Sequence, residues 1–239
     1  MNTLSWSRRR VLQGGALLAV GLTPCAALLA SEKTGDITAQ LARYIVASRD
    51  LPLPDAVAVA CKNHILDTFG AMISGSQMRP GQLALRYVAG QGGTEQASVV
   101  GSGFRTTAIN AALANAMCAH SDETDDFEPV TKAHPGSSVV PAALAMGESR
   151  HSSGEAFMRA VALGYDTGCR LLMALGPDLV RGSHRSAEGT AATFGAVAGA
   201  ASLAQLDALN TCYALSYAAQ QESGIWSWVK DHDHIEKAF

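Results

Sequence analysis

With 239 residues, 48% of them hydrophobic and 16% charged, the chain can bury one sizeable core in one or two domains. A net charge of −3 leaves no basic face, which argues against nucleic acid as a partner. Aromatic residues make up only 6% while glycine occurs 23 times, so closely crossing helices built from small side chains are expected.

The chain opens on a segment unlike the rest. Ser7-Arg8-Arg9-Arg10-Val11-Leu12 matches the twin-arginine export pattern, and a short apolar stretch broken by glycines and Pro24 follows it. That stretch is short for a membrane span. Residues 1–30 are therefore expected to be a signal cleaved between residues 26 and 31. A periplasmic address follows, with no stable membrane insertion. Pro24 weakens a lipoprotein reading through Cys25. Residues 31–239 then form the mature domain.

From Asp36 onward the pattern is helical. In "DITAQLARYIVAS", Ile37, Leu41, Tyr44 and Ile45 recur at helical spacing behind Asp36 as N-cap. The prolines of "LPLPDAV" end that helix. A long one follows in "PDAVAVACKNHILDTFGAMISGS", with Pro54 in its first turn and Gly75 near its end. Its apolar positions include Val57, Ala60, Cys61, Ile65, Leu66, Phe69 and Ile73. "GQLALRYVAGQGG" is a shorter helix with a glycine stop, and "QASVVGSGFR" reads as a strand around Val99 and Val100. Further helices are expected over residues 107–120, 138–148, 154–175, 187–206 and 208–220. Alternating βα units are absent, so the fold class is all-α with at most a short strand pair. Cys61, Cys118, Cys169 and Cys212 are widely spaced without a C-x-x-C pair, and read as small buried hydrophobes.

Titratable residues gather in three connections. "AHSDETDDFEPVTKAHPG" contains His120, Glu123, Asp125, Asp126 and His134. Helix capping with solvation, organic acid–base chemistry and cation binding all fit its residue types. The spacing matches neither an H-E-x-x-H nor an EF-hand pattern. "GPDLVRGSHRSAEGT" sets His184 between Arg181 and Arg185 ahead of a helix starting near Ser186, either an anion site or ordinary loop decoration. "ESGIWSWVKDHDHIEKAF" holds Trp226, Trp228, His232, His234 and Lys237.

Taken in order, "ILDTFGAMISGS", "AHSDETDD…AHPGSSVVPAALAMGE", "GYDTGCRL", "GSHRSAEGTAATFGA" and "WSWVKDHDHIEKAF" resemble the N-terminal, helical part of the MmgE/PrpD family. That family includes 2-methylcitrate dehydratase and cis-aconitate decarboxylase, and the resemblance covers roughly residues 37–239. It implies an active site between a helical domain and a smaller α+β lid domain. It also implies His134, His184 and Lys237 as catalytic residues, with Glu123, Asp125, Asp126 and Arg185 binding substrate. The expected reaction is dehydration or decarboxylation of a small polycarboxylic acid without cofactor or metal. The alternatives are isomerase or epimerase chemistry on a diacid, which shares the first proton removal, and a non-catalytic module for dimerisation or ligand binding. A homodimer is expected. His134, preceded by carboxylates, is expected to move the proton. His184, flanked by arginines, is expected to bind a substrate carboxylate in the same pocket. Three departures stand out. Glu123 replaces an aspartate and Phe127 a small hydroxyl residue, while the lid sequence is absent, so a truncated chain or a separately encoded lid is expected. Without its cover the chain should be a poor catalyst.

Overall fold

Small side chains decide how the helices of this protein meet. The computed structural model describes residues 36–239 except Ser223 and Ile225. The twin-arginine motif and its expected cleavage region lie outside the described residues. Ten α-helices are present among these residues: α1 (Ile37–Ser48), α2 (Asp55–Gly75), α3 (Arg79–Gln91), α4 (Ala108–Ala119), α5 (Gly136–Ser149), α6 (Gly154–Leu175), α7 (Pro177–Gly182), α8 (Ala187–Leu203), α9 (Ala208–Gln221) and α10 (Ile235–Ala238). A 3₁₀ turn spans Trp226–Lys230. Strands β1 (Ala97–Ser98) and β2 (Arg105–Thr106) pair antiparallel, with Ala97 opposite Thr106. The all-α expectation with one short strand pair holds. No helix among the described residues is long and apolar enough to cross a membrane.

Helix α8 packs against α6, α5 and α9, and α4 packs against α5, α2 and α3. Glycines make these crossings close. A Cβ on Gly168 of α6 would lie 2.4 Å from the Ala191 carbonyl oxygen of α8, and one on Gly164 would lie 2.5 Å from a Val139 methyl. Around them Val139, Val140, Ala143, Ala160 and Val161 form the central core. Cys61, Cys118 and Cys169 are buried free thiols, and Cys212 is buried as well. Burial pushes the first three up to about 11, which keeps them protonated and apolar.

The inward faces of α1 and α2 differ from those expected. Asp36 does cap α1 by accepting from the Ala39 N–H. Yet α1 buries Ala39, Ala42 and Ile45 and leaves Ile37 and Tyr44 exposed. Likewise α2 buries Cys61, Thr68, Ala71, Met72 and Gly75, while Val57, Leu66 and Ile73 face outward. The reason lies in the crossing distance. A Cβ on Gly75 would stand 1.9 Å from the Cys118 carbonyl oxygen of α4, so the face that carries Gly75 must turn inward. The end of α8 also comes earlier than expected. Gln205 adopts φ +55 and the Leu206 N–H donates to the Ala201 carbonyl, a left-handed helix stop.

Candidate active site

The apolar, Ala-rich α4 ends with His120 as its C-cap, and the chain then runs through a polar loop to α5. Asp122 organises the first part of that loop. One of its carboxylate oxygens accepts from the Thr124 N–H and hydroxyl, the other from Ser74 at 2.5 Å. Glu123 follows with φ +54, a left-handed conformation uncommon for a residue with a side chain. Beyond it Asp125 and Asp126 both turn inward, to different partners.

Asp125 stands between two imidazoles. Its Oδ2 lies 2.8 Å from His120 Nδ1 and its Oδ1 lies 3.4 Å from His134 Nδ1. The Asp125 side chain is fully buried. Burial disfavours its charge, but hydrogen bonds with His120 and His134 outweigh that and hold the carboxyl down at about 2. In return, the bond to Asp125 raises the His134 pKa against the opposing effect of burial. The two imidazoles meet edge-on with centroids 5.0 Å apart, and Phe127 packs edge-on against His134 at 5.6 Å. Phe127 remains 55% exposed and does not line the cavity.

Asp126 belongs to the scaffold. It accepts from the Gly136 N–H at 2.8 Å and from the Tyr165 hydroxyl at 2.7 Å, with His64 Nδ1 at 3.0 Å. Burial raises its pKa, and the bonds from Tyr165 and Gly136 oppose that rise. Asp126 therefore ties the start of α5 to α6 and α2 and is absent from the cavity wall, where a substrate-binding acid was expected.

A cavity of about 500 Å³ opens beside His120 and His134. Its wall includes Ser137 and Ser138 from α5, Glu188 from α8, and Trp228 and Lys237 from the C-terminal segment. Lys237 sits 4.7 Å above the Trp228 ring and touches the Glu123 carboxylate. Burial pulls the Lys237 ammonium pKa down. His234 Nε2 lies 3.1 Å from the same Glu123 oxygen. The acids of the wall have partners of their own. Glu188 takes Arg181 at 3.1 Å and Ser186 at 3.2 Å, and Glu222 accepts from Thr190 at 2.6 Å.

His134, Lys237, Glu123 and Asp125 thus meet at one place. His184 and Arg185 do not join them at the cavity wall; both are exposed. The short α7 ends just before them and His184 takes φ +62. Its N–H is bonded to Arg181 and its carbonyl accepts from the Trp226 N–H, which fixes the backbone of this turn. The expected meeting of His134 and His184 in one pocket is not found, because this turn presents its side chains to solvent. Two residues outside the expected set do belong to the cluster, His120 and His234. For His120 a signal existed: a lone imidazole at the end of a helix otherwise made of small, mostly apolar residues.

His120, Asp125 and His134 are also the described residues best placed to hold a metal ion, with ligand atoms within 4.8 Å of one another. However, both Nδ1 atoms already face the one carboxylate, His120 within a hydrogen bond of Oδ2 and His134 at 3.4 Å from Oδ1. This arrangement should register in acid. Asp125 has its folded pKa at about 2, below the ordinary 3.9 or so of an unfolded aspartate. Its contribution, on the order of 2 kcal/mol, is present above the unfolded value and is lost as pH falls through the folded one. Urea unfolding is thus expected to show stability falling between about pH 4 and pH 2, with the fall reduced in Asp125→Asn. An equal fall in both proteins would show that Asp125 is not its source.

Residues 39–239 match the MmgE/PrpD N-terminal domain. Over 207 residues the chain is 27% identical to the cis-aconitate decarboxylase-like protein oryM of Aspergillus oryzae (strain ATCC 42149 / RIB 40). That match covers 82% of this chain and 42% of the relative, so the chain spans less than half of that protein's length. Because the family match runs over nearly all the described residues, including every member of the histidine–carboxylate–lysine cluster, the chain belongs to the MmgE/PrpD family through its N-terminal domain.

Proposed function

We propose that this domain carries the acid–base half of a lyase site that acts on a small polycarboxylic acid without a cofactor. The observation that carries this reading is the buried, ionised Asp125 facing the Nδ1 atoms of His120 and His134, beside a cavity that Lys237 also lines. The decarboxylase-like name of the relative supports the same class of chemistry.

The Asp125 carboxylate 3.4 Å from His134 Nδ1 favours the tautomer with hydrogen on that atom, and Nε2 is then the ring atom that exchanges a proton with substrate. In a dehydration, His134 takes the proton from the carbon beside a carboxylate, the C–O bond of the neighbouring carbon breaks, and the leaving hydroxyl takes that proton back from the His134 imidazolium to depart as water. In a decarboxylation, the C–C bond to the carboxylate breaks, carbon dioxide leaves, and the carbon takes its proton from the His134 imidazolium. Asp125 stabilises that imidazolium in either direction. Lys237 supplies a charge-assisted hydrogen bond to a substrate carboxylate.

The test uses the full chain with citrate-, methylcitrate- and aconitate-type acids. Carbon dioxide release and formation of a new double bond are followed, and calorimetry measures binding of the inert analogue tricarballylate. His134→Ala is expected to lower turnover about a hundredfold or more while leaving tricarballylate binding largely intact. Lys237→Ala is expected to weaken that binding. Turnover indifferent to His134→Ala, or no saturable binding of any of these acids, would overturn the reading.

A further inference from the structure

One ammonium and two imidazoles converge on a single oxygen of Glu123. Lys237 touches it, His234 Nε2 lies 3.1 Å away and His120 Nε2 lies 3.9 Å away. Two of these groups come from the C-terminal segment and one from the end of α4. Burial differs sharply across the contact. The Lys237 side chain is 12% exposed and forms part of the cavity wall, whereas Glu123 is 40% exposed and lies outside that wall. The other acids of the wall are tied to neutral or arginine donors within the scaffold. Glu188 is held by Arg181 and Ser186, Glu222 by Thr190, and Glu236 accepts from Ser227 at 2.6 Å.

From this asymmetry we infer that Glu123 is a resident carboxylate that occupies the cation seat of the empty site and is displaced by a carboxylate of the incoming polyacid. The inference rests on the polycarboxylate reading above and assigns Glu123 a gating role in place of direct substrate binding. A largely buried ammonium without a partner is costly, so Lys237 needs an anion at all times. Glu123 provides one before substrate arrives. Its own return to water costs little, because its carboxylate is already half in solvent and its ion pairs are partly screened.

The arrangement also sets a threshold for ligands. An internal carboxylate competes at a high effective concentration, which a single external carboxylate does not match. A ligand with two or more carboxylates gains further contacts at the His134 side of the cavity and so displaces Glu123. The seat thereby favours polyacids over monoacids, without any contact that counts carboxylates directly.

Calorimetric titration of the full chain with inorganic sulfate and with tricarballylate separates the possibilities. Emptying the seat with Glu123→Gln is expected to tighten binding of both about tenfold, and Glu123→Asp, whose carboxylate reaches less far, should show a smaller gain. The Asp variant also carries the test should the Gln variant fail to fold. Unchanged or weaker sulfate binding in the folded variants would overturn the inference and make Glu123 a permanent anchor for the C-terminal segment. A sulfate gain with no tricarballylate binding in either protein would uphold the displaceable seat and defeat the polycarboxylate reading. Tricarballylate binding by the wild type without any gain in the variants would do the reverse.

Discussion

Asparagine in place of Asp125 is expected to reduce kcat about a hundredfold while the chain remains folded. The substitution conserves shape but changes which atoms donate. Asp125 Oδ2 is hydrogen-bonded to His120 Nδ1 and its Oδ1 faces His134 Nδ1 at 3.4 Å, an arrangement that favours hydrogen on the facing Nδ1 and leaves Nε2 of His134 to act as a base. An asparagine amide nitrogen would donate toward one Nδ1 and favour the tautomer whose Nε2 is protonated. The imidazolium formed during turnover would also lose its counter-charge. The pH profile separates this from mere structural damage. Asp125 raises the His134 pKa, and a base works only when deprotonated, so the acid limb of kcat in the wild type is expected above the ordinary value for histidine. Without the carboxylate the limb should move to lower pH. A loss below about tenfold, or a limb that stays in place, would show that Asp125 does not set the state of His134.

Gly75→Ala should lower the stability of the domain by about 3 kcal/mol, although glycine to alanine inside a helix ordinarily stabilises by up to about 1 kcal/mol. Geometry decides the sign. The new methyl carbon would stand 1.9 Å from the Cys118 carbonyl oxygen, a backbone atom within a helix that cannot rotate away. The α2–α4 crossing must open, and α4 carries His120 at its end. For a domain of this size the loss corresponds to a fall in Tm of about 10 °C. Gly70 in the same helix provides the control, since a Cβ there meets nothing within 4 Å. Gly70→Ala is expected to leave Tm unchanged or raise it slightly. Equal effects at the two positions would show that helix propensity, not close approach, governs this crossing.

What local chemistry determines was legible in the sequence. Asp36 caps α1 as its residue type suggests, and α6 runs over residues 154–175 as its apolar spacing predicts. The all-α class follows from the same periodicity, and the ordered motifs identify the family. These are properties of neighbours in the chain, set by backbone hydrogen bonding and side-chain spacing within a few residues. Which face of a helix turns inward is a different question. Leu66 and Ile73 look like core residues, but the close crossing at Gly75 turns the face of Thr68, Ala71 and Met72 inward and leaves them exposed. The site divides in the same way. That Glu123, Asp125, His134 and Lys237 carry chemistry could be proposed from residue type and motif. Their roles depend on which atoms meet once the helices have crossed. Adjacent aspartates diverge, Asp125 to two imidazoles and Asp126 to Tyr165 and the start of α5. His120 and His234 join the cluster, while the left-handed turn at His184 keeps that residue at the surface. A charge takes its function from its partners and its burial, and both are set by contacts between segments far apart in the chain.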